Sequence, residues 1–150
     1  MTSPAMNAKN ILVSKGIVRE TDPTATEWLV RIGKMPESPD QVVTVYDTGG
    51  FTPFTKWQLD QPTIQVMIRG DKNGYENAWN KALEVKDILL GIEPLDIDEV
   101  HWSGATMLGD IAFLKYDDSD RPLFSANFRI FLERNVTPLS NRNSLDYTGP

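Results

Sequence analysis

The stretch from Phe124 to Glu133 constrains this chain more than any other. Phe124, Ala126, Phe128, Ile130 and Leu132 alternate with Ser125, Asn127, Arg129, Phe131 and Glu133, which is the period of a strand whose two faces meet different surroundings. Upstream, Val100 and Trp102 begin another run of strand signal, and Ile111, Phe113, Leu114 and Tyr116 lead into Asp117-Asp118-Ser119-Asp120. These segments predict an antiparallel hairpin with a solvated acidic tip.

Earlier segments supply the rest of a sheet and its cover. Trp28, Val30 and Ile32 alternate with Glu27, Leu29 and Arg31, the period of a strand with one drier face, and Gln41 to Asp47 is rich in Val, Thr and Tyr. That second strand is expected to close at Thr48-Gly49-Gly50, where glycine permits positive φ. Pro62 opens a third strand, with Ile64, Val66 and Ile68 on one side and Thr63, Gln65, Met67 and Arg69 on the other. Between them, Phe51 to Gln61 has no period and reads as a long loop, a class of segment that is often functional.

Two helices are predicted. Ser3-Pro4 caps a short one whose apolar positions are Ala5, Ala8, Ile11 and Leu12, and Gly16 stops it. Asn73 with Glu76 resembles a capping box, and Ala78, Ala82, Val85 and Leu89 give a helix face widened by Tyr75 and Trp79. Gly91 and Pro94 end this helix, which at ~1.5 Å per residue is expected to run about 25 Å. The fold class predicted is a single α+β domain over residues 1–134: a mainly antiparallel, mixed sheet of about five to six strands, a long helix packed on it and a short N-terminal helix. Residues 135–150 are polar and without period, and are expected to form a flexible C-terminal tail.

A chain of 150 residues can bury one ordinary core without staples. It has no cysteine, so thiolate catalysis, disulfides and cysteine zinc sites are excluded. Its net charge of −6 repels a phosphate backbone and argues against sequence-reading nucleic-acid binding. No window is long and apolar enough for a membrane span, and the first residues lack a signal-peptide pattern. The expectation is a protein held in a cytoplasm until it is used.

Chemistry is hard to find. His101 is the single histidine and lies in strand signal, so a structural or surface role is expected. A Walker A loop, a nucleophile elbow and a dinucleotide fingerprint are absent. Asp117, Asp118 and Asp120 lack the glycine and distal glutamate of a calcium loop. Asp47, ahead of Thr48-Gly49-Gly50, reads as a turn residue bonding its own backbone. No catalytic, cofactor or metal residue is assigned. Of the four tryptophans, Trp28, Trp79 and Trp102 are expected in the core. Trp57 shares the polar loop with Phe51 and Phe54, where aromatic side chains suit an interface anchor.

Several pieces in a fixed order resemble a known group. These are Val45-Tyr46-Asp47-Thr48-Gly49-Gly50, Gln65-Val66-Met67-Ile68-Arg69-Gly70, Tyr75 through Gly91, Gly109-Asp110-Ile111-Ala112-Phe113 and Arg121 through Phe128. Together, within Trp28 to Glu133, they resemble the minor capsid and tail terminator proteins of long-tailed bacteriophages. The resemblance implies a structural virion subunit with no enzymatic activity and no cofactor. It implies a ring, typically of six, at the head-proximal end of the tail tube, which ends tube polymerisation and enables head-tail joining.

The implied partners are further copies of the chain, the major tail tube protein and a head-completion or neck protein, with DNA passing the lumen without specific binding and no membrane contact. The interface residues expected are Asp47, Thr48, Gly49, Gly50, Phe51, Phe54, Trp57 and Arg69. Another neck or head-completion subunit is the alternative. A different class of alternative is a metal-dependent intracellular enzyme using Asp47, Asp71 or Asp110.

Overall fold

The computed structural model describes residues 1–134 and 138–146. Helix α1 spans Pro4–Ser14 and is followed by strands β1 (Leu29–Ile32), β2 (Val42–Gly50), β3 (Leu59–Asp60) and β4 (Pro62–Arg69). Helix α2 (Tyr75–Leu89) then precedes β5 (Leu95–Ile97), β6 (Val100–Met107), β7 (Ala112–Tyr116) and β8 (Pro122–Arg134). The strands form one mixed sheet in the order β1-β2-β4-β8-β6-β5, with β3 and β7 also paired to β8. It curls into a half-barrel. Among the described strands β1 and β2 pair in parallel and the other pairs are antiparallel.

The 13-residue β8 is the axis of the fold. Along one edge it pairs with β4 and, beyond that, β3. Along the other it pairs with β6 and then β7, so that these two act as one interrupted arm of a long hairpin. Its alternation is realised as read: Phe124, Ala126, Phe128, Ile130 and Leu132 are all buried. They join Ile64, Val66 and Ile68 from β4 in a single apolar cluster with both helices. Burial of this face, worth roughly 25 cal/mol per Å² of apolar surface, drives the packing of sheet on helix.

Helix α1 forms as its signals dictate. Ser3 Oγ accepts the Met6 N–H at 3.2 Å, Pro4 opens the first turn and Gly16 takes a φ of 78° beyond the last. Ala5, Ala8, Ile11 and Leu12 face the core.

Four expectations are corrected. Helix α2 has 15 residues, roughly 22 Å, and is not especially long. It starts from Gly74 with no side-chain cap, because Asn73 adopts a left-handed φ of 58° and gives its N–H to the Asp120 carbonyl. Trp79 and Tyr75 do not widen the buried stripe; each is 37% exposed. The stripe of Ala78, Ala82, Val85 and Leu89 is narrow enough to lie close against the sheet, and a Cβ placed on Gly70 would meet that of Ala78 at 2.9 Å. Thr48-Gly49-Gly50 is not a turn but the continuation of β2, whose register against β4 slips between Asp47 and Gly50.

Candidate functional site

The segment that leaves β2 builds an exposed aromatic surface. Asp47 faces α1 and accepts the Ala5 N–H through Oδ1 at 2.9 Å, so it caps a distant helix rather than its own backbone. Thr48 and Thr63 share a hydroxyl hydrogen bond of 2.8 Å across β2 and β4. Gly49 and Gly50 take φ values of 91° and 141°, and a Cβ on Gly50 would stand 2.5 Å from the Gln61 carbonyl oxygen. Glycine is therefore required where the strand bulges past Pro62. The Phe51 N–H then closes the loop on the Gln61 carbonyl at 3.0 Å.

Within this loop the three aromatic residues take different positions. The Phe51 ring lies 4.0 Å from the Arg129 guanidinium carbon, and Phe131 approaches the same group at 5.1 Å. Arg129 is held in turn by the side-chain oxygen of Gln61. All three are exposed to a similar degree, and Phe54 and Trp57 line, with Leu59 and Leu145, a shallow apolar hollow of about 320 Å³. Together these side chains form an exposed apolar patch rather than scattered single residues.

Leu145 reaches this hollow from the stretch read as a flexible tail. Residues 135–137 and 147–150 of that stretch lie outside the described residues. The remainder runs beside the loop: the Gln58 N–H donates to the Asn143 carbonyl at 2.9 Å, and the Asn143 N–H to that of Lys56 at 2.6 Å. Gln58 Nε2 donates to Ser140 Oγ at 2.6 Å, and Arg142 donates to the Trp57 carbonyl. Loop and tail thus form one paired unit. Sequence reading missed it because isolated Asn, Ser and Arg residues carry no period.

Arg69 stands apart from this surface. Its side chain is buried, donating to the carbonyls of Asp40 at 3.0 Å and Pro39 at 2.8 Å. Burial, and then the nearby Arg121 guanidinium, pull its pKa below the usual arginine range. Its place is in a polar joint that the sequence reading did not find. Arg121, with a side chain only 6% exposed, bonds Asp117 at 2.8 Å and Glu37 and Asp40 at 3.1 Å each. This joint ties the hairpin turn to the segment before β2. Burial opposes ionisation of Asp117, but hydrogen bonds from Arg121 and from the Ser119 N–H outweigh it and hold the carboxyl below its ordinary range.

The three aspartates proposed for a metal enzyme do not converge. Asp47 caps α1, Asp71 accepts from Gln41 Nε2 at 3.1 Å, and Asp110 pairs with Lys86 of α2 at 3.0 Å. Among the described residues no three His, Cys, Asp or Glu side chains are grouped to hold an ion. His101 pairs with Asp96 at 2.8 Å on the surface.

No described helix is long and apolar enough to cross a membrane. No curated protein matches the sequence. A family model described as bacteriophage tail terminator protein matches residues 5–134, a span that runs from α1 to the last residue of β8 and takes in every strand of the sheet. On that match, the chain belongs to the bacteriophage tail terminator family.

Proposed function

We propose that this protein forms a ring, of six copies, at the head-proximal end of the phage tail tube, where it ends tube polymerisation and offers the head a surface to join. Family membership supports a structural role in the tail and a place in the virion, and carries this reading. The Phe54, Trp57 and Leu145 surface supports it, since exposed apolar side chains of this size are suited to a protein contact.

A ring with two different faces can do both tasks. Contacts between unlike surfaces of neighbouring copies close sideways growth, while one face meets the last tube ring and the other the neck. The major tail tube protein and a head-completion protein are the partners. Asp47, Thr48, Gly49, Gly50, Phe51, Phe54 and Trp57 contribute to assembly, the first four by shaping the strand end and the aromatic residues by direct contact. The acidic character of the chain, −6 per copy, keeps passing DNA from adhering.

The test is the mass of the purified protein by light scattering, over a concentration range, with and without tail tubes. A ring in solution or on the tubes supports the reading. A protein that ignores tubes and binds filled heads belongs elsewhere in the neck.

A further inference from the structure

The loop that carries Phe54 and Trp57 does not hold its own shape. Its mouth is closed where the Phe51 N–H meets the Gln61 carbonyl at 3.0 Å. Beyond that point the support comes from elsewhere in the chain. From Thr52 to Gln58, every backbone hydrogen bond found among the described residues is made with the segment 138–146.

Those bonds converge on Trp57. The Asn143 N–H donates to the Lys56 carbonyl at 2.6 Å and its carbonyl accepts the Gln58 N–H at 2.9 Å, so Asn143 pairs with Trp57 as a single parallel bridge. Arg142 adds a clamp. Its guanidinium donates to the Trp57 carbonyl and stands 2.9 Å from the carboxylate of Asp60 in β3. The backbone on both sides of Trp57 is thereby fixed, while its ring stays 42% exposed.

The segment is itself anchored on the sheet. The Leu145 N–H donates to Oε1 of Glu133 in β8 at 3.0 Å, and Asp60, which Arg142 meets, belongs to the strand paired with that end of β8. The rigidity of the longest strand is thus carried out to the loop. Residues 138–146 lie beyond the span matched by the family model, which ends at Arg134.

We infer that residues 138–146 are a brace that sets the position of Trp57 and Phe54 for their contact with the tail tube, with Arg142 as its positioning residue. An aromatic side chain fixed before contact loses less entropy on binding than one carried by a free loop. The brace leaves the chemistry of the surface to the aromatic residues and supplies their preorganisation. This rests on the assembly reading above and names what holds its contact surface in place.

Two full-length variants test it. Arg142→Ala removes the clamp, and Asp60 keeps Arg134 as a partner at 3.5 Å. Asn143→Pro removes the N–H given to Lys56. Exchange of the Gln58 amide, followed by NMR with Val66 of β4 as reference, is expected to be at least about tenfold faster in each variant, with Val66 unchanged. Co-sedimentation with tail tubes is expected to weaken about tenfold. Gln58 exchange at the wild-type rate overturns the brace, as does equal acceleration of Val66, which makes these residues supports of the whole sheet. A faster Gln58 with undiminished tube binding overturns the positioning role and leaves the ring reading standing. Wild type that neither binds tubes nor forms a ring overturns that reading, and the exchange rates still decide whether the brace exists.

Discussion

The Asp47 carboxylate and the Ala5 backbone lie 42 positions apart in the sequence, yet Asp47 Oδ1 accepts the Ala5 N–H at 2.9 Å. A strand of the sheet thereby caps the first turn of α1, alongside the local cap from Ser3. Both satisfy N–H groups that the helix cannot bond internally. Asp47→Ala is expected to cost about 1 kcal/mol, read as a lower urea midpoint with unchanged slope. Asp47→Asn keeps an acceptor oxygen and loses less.

Arg121 joins the hairpin turn to Glu37 and Asp40 through three ion pairs. Arg121→Met is expected to destabilise by roughly 2–3 kcal/mol, discounted from a fully buried pair because Glu37 is 86% exposed. Arg121→Lys does not rescue, since one ammonium cannot reproduce the planar fork. Chemical denaturation of the three proteins checks this.

Asp117 gives the acid limb of stability a definite sign. Its pKa is lower in the fold than in the unfolded chain. Its stabilisation is thus present above the ordinary carboxylate pKa and is lost as pH falls through the folded value. Asp71 acts in the opposite sense, because burial, and then Asp40, raise its pKa. Unfolding free energies measured from neutrality to about pH 2 are expected to fall less steeply with pH in Asp117→Asn than in wild type. Asp71→Asn is expected to raise stability at neutral pH.

The assembly role proposed for Phe54 and Trp57 can be tested apart from folding. Both project from the loop, so Phe54→Ser with Trp57→Ala is expected to change stability by less than about 1 kcal/mol. Binding to tail tubes, measured by co-sedimentation, is expected to weaken at least about tenfold, as for loss of an interface anchor.

Gly50 is sterically fixed. With φ at 141° and the Gln61 carbonyl 2.5 Å from any added Cβ, Gly50→Ala is expected to cost about 1–3 kcal/mol. Gly104, where a Cβ meets nothing within 4 Å, is the control in the same denaturation series.

What could be read in the sequence was whatever a repeating period records. The alternation at Ile64-Val66-Ile68 and along Phe124 to Leu132 located the dry face of the sheet, and the apolar spacing of Ala78, Ala82, Val85 and Leu89 located the helix that covers it. Trp79 was misplaced because a helical spacing marks a face without marking its width. The continuation of β2 through Gly49 and Gly50 was hidden because glycine signals a turn and a bulge alike. For the surface, the aromatic content of the loop from Phe51 to Gln61 pointed to Trp57 and Phe54. Its pairing with Asn143, and the burial of Arg69 against Asp40 and Pro39, depend on neighbours far away in sequence and left no local trace.

Among the described strands β8 is made last, and β3, β4, β6 and β7 all pair with it. With synthesis at about 5–20 residues per second, α1 and the first strands emerge several seconds before the strand that completes their sheet. Chains that have not yet made β8 therefore hold one edge of β4 without its hydrogen-bonding partner, a window in which chaperones can engage them. Pairings this distant in sequence also close slowly, on the millisecond-to-second scale of sheet-rich topologies. A chain cut short before β8 lacks the strand with which β3, β4, β6 and β7 pair, and so cannot complete its sheet.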